Sequence, residues 1–101
     1  MGLYHGAINR FYYAAFHAAR ALLAVKRLDS AKHSGIISLF NREFVKTRTI
    51  SKKASKTLST LFALRSEADY DDFRSFDQEE VIKARAAVRA LIDEVSVILS
   101  K

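Results

Sequence analysis

The sequence contains no cysteine, no proline and no tryptophan, and it has only three glycines among its 101 residues. Without cysteine the chain cannot form disulfides, thiolate metal sites or a cysteine nucleophile, and this composition fits a reducing compartment. Without proline nothing forces a helix to break, and a composition rich in alanine, leucine, lysine, arginine and glutamate favours helix. These absences predict an all-α protein.

The sequence also lacks a long uninterrupted apolar run. Its most apolar stretch is broken by Arg10, His17 and Arg20, so no window of about 20 residues qualifies as a membrane span. No basic segment followed by an apolar run opens the chain, so we expect no signal peptide. Because half of the residues are hydrophobic, the chain should fold. We expect one soluble cytoplasmic domain over residues 1–101.

The charges are divided unevenly along the chain. Residues 1–65 carry twelve Lys/Arg and two acidic residues, a net charge of +10, whereas residues 66–101 carry five and nine, a net charge of −4. The positive charge of residues 1–65 would attract the phosphate groups of RNA, DNA or a nucleotide. The alternative is a lysine-rich surface that serves only solubility.

Periodicity and capping signals predict four helices joined by short links. Ser34 and Ser51 are suitable N-caps for the second and third helices. Asp77 and Glu80 form a capping box ahead of the fourth. The pattern indicates an antiparallel up-down bundle, with helices at about residues 3–28, 34–46 and from 78 to the C-terminus. The third helix follows Ser51, runs through Arg65 and frays around residues 70–72.

The first helix carries two rows of residues at helical spacing. The apolar row is predicted to be buried and consists of Ile8, Phe11, Ala15, Ala18, Leu22 and Val25. The second row falls within an arc of about 80° and consists of Arg10, Tyr13, His17 and Arg20, with Asn9 one turn before Tyr13. His17 could act as a general acid or base near neutral pH. Its alternative role is that of a packed core or interface residue.

Two further groups of residues could contact an anion. Lys32 and His33 stand beside the free amides at the start of the second helix, where an anion could bind; an ordinary helix start explains them equally well. Arg65 and Asp69 share a helix face one turn apart, near Tyr70, and could orient a phosphate or a base. Alternatively, Arg65 and Asp69 form only an ion pair within the helix. The three histidines are scattered, so we expect no metal site and no cofactor.

Three blocks of the sequence, in this order, resemble the HEPN domain family, and they read AINRFYYAAFHAARALL, DSAKHSGIISLFNREFVKT and LFALRSEADYDDF. The resemblance covers nearly the whole chain and is closest to the stand-alone archaeal and bacterial branch. It implies a helical bundle that pairs as a homodimer and acts beside nucleotides or RNA. Many members resemble toxins encoded with a minimal nucleotidyltransferase. The toxic members are metal-independent endoribonucleases with an Arg, four to six residues and then a His.

The sequence departs from this family pattern in two ways. Arg65 matches the arginine of the ribonuclease motif, but the positions for its histidine hold Tyr70, Asp71 and Asp72, and no histidine follows His33. The family also usually has a helix before the block that begins near Leu3. We interpret the chain as a shortened or truncated member, and a missing helix would expose an apolar groove that favours dimerisation.

Three hypotheses remain open. The first is a module with a degenerate ribonuclease motif that dimerises and binds a nucleotide, RNA or a nucleotidyltransferase subunit. The second is an active ribonuclease in which Arg65 stabilises phosphate charge and His17 replaces the missing histidine. The third is a structural partner protein without a ligand.

Overall fold

The computed structural model describes the backbone of residues 3–70 and 77–101 and the side chains of residues 6–64 and 77–101. The chain forms α1 (Leu3–Val25), α2 (His33–Phe40), a π-helical segment (Asn41–Val45), α3 (Lys52–Tyr70) and α4 (Gln78–Leu99). The expected all-α bundle is confirmed, and α1 packs against each of the other α-helices. Within the described ranges, no helix is both long and apolar enough to cross a bilayer.

The link between α1 and α2 runs back along α1. Asp29 in the link bonds to Arg20, and the His33 ring stacks on Phe16, further towards the start of α1. The chain then returns, so that Glu43 after α2 reaches Lys26. α2 therefore points in the same direction as α1, so the predicted antiparallel order does not hold for these two helices. This return path brings the start of α2 against the middle of α1.

The core lies along one side of α1. Its buried side chains in this helix include two aromatic residues, Tyr12 and Phe16, together with Ile8, Ala15, Ala19, Leu22 and Leu23. The prediction that Val25 is buried was wrong, because its side chain is 67% exposed at the point where the helix ends. Phe11 and Ala18 lie at the margin of the core. Ile8, Ala15 and Leu22 of the predicted row are buried as expected, but the buried face is centred nearer to Tyr12 and Ala19.

The first helix ends three residues earlier than predicted. Arg27 adopts a left-handed backbone conformation with φ of 60°. The Leu28 amide donates to the Leu23 carbonyl at 3.1 Å, and the Arg27 amide donates to the Ala24 carbonyl at 2.9 Å. These two bonds form a Schellman motif, which satisfies carbonyls that the helix end would otherwise leave unpaired. Arg48, with φ of 62°, ends the π-helical segment in the same way.

The start signals of the later helices gave mixed results. Ser34 was predicted to cap α2, but the N-cap is Lys32, whose side chain makes no capping bond. Ser51 does cap α3, since its Oγ accepts from the Ala54 amide at 3.1 Å. The capping box of α4 is confirmed, with the Glu80 amide donating to Asp77 Oδ1 at 2.8 Å and the Asp77 amide donating to Glu80 Oε1. α3 runs through Arg65 and ends at Tyr70, in agreement with the prediction.

Candidate functional site

Five aromatic and imidazole rings meet where the start of α2 contacts the middle of α1. We call them the aromatic–imidazole cluster, and its members are Tyr12, Tyr13, Phe16, His17 and His33. Four of these rings come from two successive turns of α1, because residues three and four apart share a helix face. The fifth ring, His33, is brought to them by the returning link. The cluster therefore depends on tertiary structure as well as on helix periodicity.

His33 is held in the aromatic–imidazole cluster by a hydrogen bond and by ring packing. Its Nδ1 shares a hydrogen bond of 2.8 Å with the Tyr12 hydroxyl. Its ring stacks on Phe16 with 4.1 Å between centroids and 29° between planes, and Tyr13 meets it edge to face at 6.1 Å. The imidazole is therefore fixed in orientation by a bond at one nitrogen and by packing against Phe16 and Tyr13.

His17 is the exposed member of the cluster. Its ring stacks on Tyr13 with centroids 6.0 Å apart and 29° between planes, and it meets Phe16 edge to face at 5.8 Å. Tyr13 is partly buried between His17 and His33. A solvent-exposed imidazole held against an aromatic ring can stack on a base, contact a phosphate or exchange a proton.

The Arg20 side chain, one turn after His17, forms an ion pair with Asp29. Its Nε and Nη2 donate to the two carboxylate oxygens of Asp29 at 3.0 and 2.9 Å. These bonds raise the pKa of Arg20, and together with a backbone bond from Ser30 they hold the pKa of Asp29 below its ordinary value. Both side chains are about half exposed, so the pair fastens the returning link to α1 while leaving Arg20 within reach of solvent.

The remaining predicted site residues are distributed as follows. Asn9 and Arg10 are exposed on α1, and Lys32 is exposed at the start of α2. The backbone of α3 includes Arg65, Asp69 and Tyr70, but their side chains lie outside the described residues, as do Asp71 and Asp72 altogether. Their relation to the cluster therefore stays a prediction.

Sequence reasoning missed the roles of Tyr12 and Phe16. Tyr12 was not placed in either row of α1, yet its ring is fully buried and its hydroxyl reaches His33. The signal was present in the sequence, since Tyr12 with Phe16 and Tyr13 with His17 are aromatic pairs four residues apart. His33 was treated as part of a separate anion site at the start of α2. Its side chain instead joins the aromatic–imidazole cluster.

Within the residues that the structure describes, no group of three or more His, Cys, Asp or Glu side chains is arranged to hold a metal ion. His17 and His33 are nonetheless close enough to share an aromatic neighbour, Tyr13. The chemistry that these residues can offer directly is aromatic stacking, hydrogen bonding and proton exchange.

Comparison with known proteins adds a family match. The family model of the HEPN domain matches residues 1–98. A UPF0332 protein of Thermotoga maritima is 44% identical over 77 residues, which are 76% of this chain and 58% of that protein. "Putative toxin MJ0605" of Methanocaldococcus jannaschii is 38% identical over 76% of this chain and 58% of its own length. "Putative toxin MJ0142" of the same organism is 34% identical, over 76% and 52%. The chain spans about half the length of the curated relatives it matches. No solved structure matches it.

Proposed function

The chain belongs to the HEPN domain family, and from that premise we propose that it is a toxin-like, homodimeric domain that associates with RNA or a nucleotide. Residues 1–101 then form a single HEPN domain that acts in the cytoplasm beside a minimal nucleotidyltransferase, as one half of a toxin–antitoxin-like pair. Relatives that carry the word toxin in their names support the toxin-like role.

The observation that carries the proposal is the exposed edge of the aromatic–imidazole cluster. The stacked rings of His17 and Tyr13 offer a surface on which an unpaired base can stack, and such stacking tolerates any base. Arg10 lies one turn before Tyr13 and is exposed. It supplies a cation for the phosphate that accompanies the base. Single-stranded RNA is therefore the ligand class that this edge fits best.

The charge distribution supports the same ligand. The net charge of residues 1–65 is +10, and the cluster lies within this part of the chain. A cationic surface draws in polyanions and makes their binding sensitive to salt. The absence of a histidine after His33 leaves the family's Arg and His ribonuclease pair incomplete. We therefore propose binding, with a degenerate ribonuclease motif, as the first function.

The test is a titration of a fluorescein-labelled single-stranded RNA of mixed sequence, followed by fluorescence anisotropy over a salt series. Affinity should fall steeply as salt rises. Arg10→Ala should reduce the salt slope by about 1, and His17→Ala should weaken binding about 5-fold or more. Arg85→Ala is the matched control, because Arg85 is exposed on α4 and carries the same charge.

Absent or salt-insensitive binding would contradict this proposal and favour the structural partner protein without a ligand. An equal effect of Arg10→Ala and Arg85→Ala would assign the binding to net charge rather than to the cluster.

The second candidate is a metal-independent endoribonuclease that uses Arg65 and His17. The exposure of His17 favours it, since a general acid or base must reach its substrate. In buffer containing a chelator, the protein should cleave RNA, and Arg65→Ala and His17→Ala should each abolish cleavage. Arg89→Ala, on the exposed side of α4, should retain it. Intact RNA after incubation with the unaltered protein would exclude this candidate.

The proposed partners need separate experiments. Sedimentation equilibrium should give twice the monomer mass, and a tagged minimal nucleotidyltransferase subunit should retain the protein in a pulldown. A monomer at all concentrations, or a subunit that does not retain the protein, would contradict the corresponding part of the proposal.

A further inference from the structure

A second surface lies between α3 and α4 and shares no residue with the aromatic–imidazole cluster. It is a groove of about 350 Å³. Leu61 and Leu64 of α3 and Ala84 and Ala87 of α4 form its apolar floor. Leu61 is buried, and the other three side chains are partly buried. On the α4 side the floor consists of alanines, whose short side chains leave room for a neighbouring element.

The edges of this groove are cationic. Lys53 and Lys56 line it from α3, and Lys83 lines it from α4. Lys83 pairs with Glu79 at 3.2 Å, but both side chains are 76% exposed, and such surface pairs are weak. No ion pair joins Lys53 or Lys56 to another residue of the described ranges. Glu80 is the acidic residue among the described ones that line the groove.

The shape and chemistry of the groove suit one kind of occupant. Its residues on α3 run from Lys53 to Leu64, a stretch of twelve helical residues, or about 16 Å from the first to the last at the usual rise. A helix of about 12 residues matches that length. None of the described lining residues is aromatic, so the groove offers no stacking platform for bases. An apolar floor between lysines complements a helix with an apolar stripe and acidic flanks.

We propose that the groove between α3 and α4 binds an acidic amphipathic helix of a partner protein. The apolar stripe of that helix lies over Leu64, Ala84 and Ala87, and its carboxylates face the lysines at the edges. This surface is independent of the proposed RNA binding, because none of its lining residues belongs to the aromatic–imidazole cluster.

The test selects binders from a displayed library of helical peptides of about 16 residues, with both the apolar spacing and the flanking charges randomised. The full chain is the target, and Thr60→Trp is the counter-target. Thr60 is exposed and lines the groove, so a tryptophan there fills it. Ser59→Trp is the matched control, since Ser59 is the exposed neighbour outside the groove. Circular dichroism and thermal melting verify that each variant is folded.

The expected result is enrichment of peptides with apolar residues at helical spacing and acidic flanks. Synthetic copies should bind the unaltered protein and Ser59→Trp equally, and bind Thr60→Trp at least 10-fold more weakly. The double variant Lys56→Glu/Lys83→Glu should also bind these peptides at least 10-fold more weakly than the unaltered protein does. NMR shift changes should lie in residues 53–64 and 80–87.

Four results would overturn the proposal. The first is a selection in which no peptide prefers the unaltered protein to Thr60→Trp, and the second is enrichment of peptides with basic or uncharged flanks. The third is NMR shift changes outside the groove. The fourth is a dimer of the unaltered protein that Thr60→Trp dissociates and Ser59→Trp does not. The last would assign the groove to a second copy of this chain. RNA binding that persists in Thr60→Trp separates this outcome from failure of the proposed function.

Discussion

The Tyr12 hydroxyl and His33 Nδ1 share a hydrogen bond of 2.8 Å across 21 residues of sequence. Tyr12 is fully buried, and the bond gives its polar end a partner at the edge of the core. The same bond fixes the first residue of α2 against the middle of α1. One contact thus links core packing with the orientation of an imidazole in the aromatic–imidazole cluster.

Removing the hydroxyl tests this link. Tyr12→Phe retains the ring and should lower the free energy of unfolding by about 0.5–1.5 kcal/mol, the usual net contribution of one hydrogen bond. In a double-mutant cycle with His33→Ala, the two changes should be less than additive, because either one removes the same bond. Urea denaturation measures the free energies of unfolding of the unaltered protein, the two single variants and the double variant. Additive effects would show that the bond does not contribute to stability.

The pairing of Arg20 with Asp29 predicts a dependence on pH. Since the pKa of Asp29 is lowered in the folded state, its contribution to stability is present above the ordinary pKa of aspartate and is lost as pH falls through the folded-state value. The unaltered protein should therefore melt at a higher temperature than Asp29→Asn at about pH 6. The difference should shrink towards about pH 3.

Thermal melts of both proteins across this range give the measurement. A melting-temperature difference that stays constant with pH would contradict the assignment. Asp93→Asn serves as a control, because Asp93 is exposed on α4.

Gly35 and Gly6 should respond to alanine in opposite directions. A Cβ at Gly35 would meet the Ser30 side chain, with Ser30 Cβ only 2.8 Å away. Gly35→Ala should therefore destabilise the protein by about 1–3 kcal/mol, as overpacking does. At Gly6 a Cβ has nothing within 4 Å, and Gly6→Ala should stabilise α1 by up to about 1 kcal/mol. Denaturant titrations measure the free energy of unfolding of both variants. An unchanged free energy in Gly35→Ala would show that the Ser30 side chain moves aside.

Ser51 combines two roles that substitutions can separate. Its Oγ caps α3, and its hydroxyl and amide both donate to the Glu94 carboxylate at 2.7 and 2.9 Å. Ser51→Ala should cost about 1 kcal/mol, as the loss of an N-cap usually does. Glu94→Gln should cost less, because the cap remains. Urea denaturation of both variants measures this, and an equal or larger cost for Glu94→Gln would assign the main role to the link with α4.

Local signals in the sequence predicted most of the fold. The capping box of Asp77 and Glu80 and the cap at Ser51 were found because the residues that form them are three apart in sequence. The end of α1 was missed because Arg27, not a glycine, adopts the left-handed conformation there. Nothing local distinguishes such an arginine from one within a helix.

The candidate site was harder to predict than the fold. Arg10, Tyr13, His17 and Arg20 could be grouped from helix periodicity, but periodicity relates residues within one helix only. His33 joined the cluster through the path of the link, and Asp29 engaged Arg20 through the same path. Both contacts depend on tertiary structure, for which no spacing rule exists.

The return of the link along α1 also bears on the order in which the chain folds. The bond between Arg20 and Asp29 closes a loop of 9 residues, and that between Tyr12 and His33 closes one of 21. The bond between Ser51 and Glu94 must close 43. Because the entropy lost on closing a loop grows with its length, we expect the bond between Arg20 and Asp29 to form first and the bond between Ser51 and Glu94 to form last.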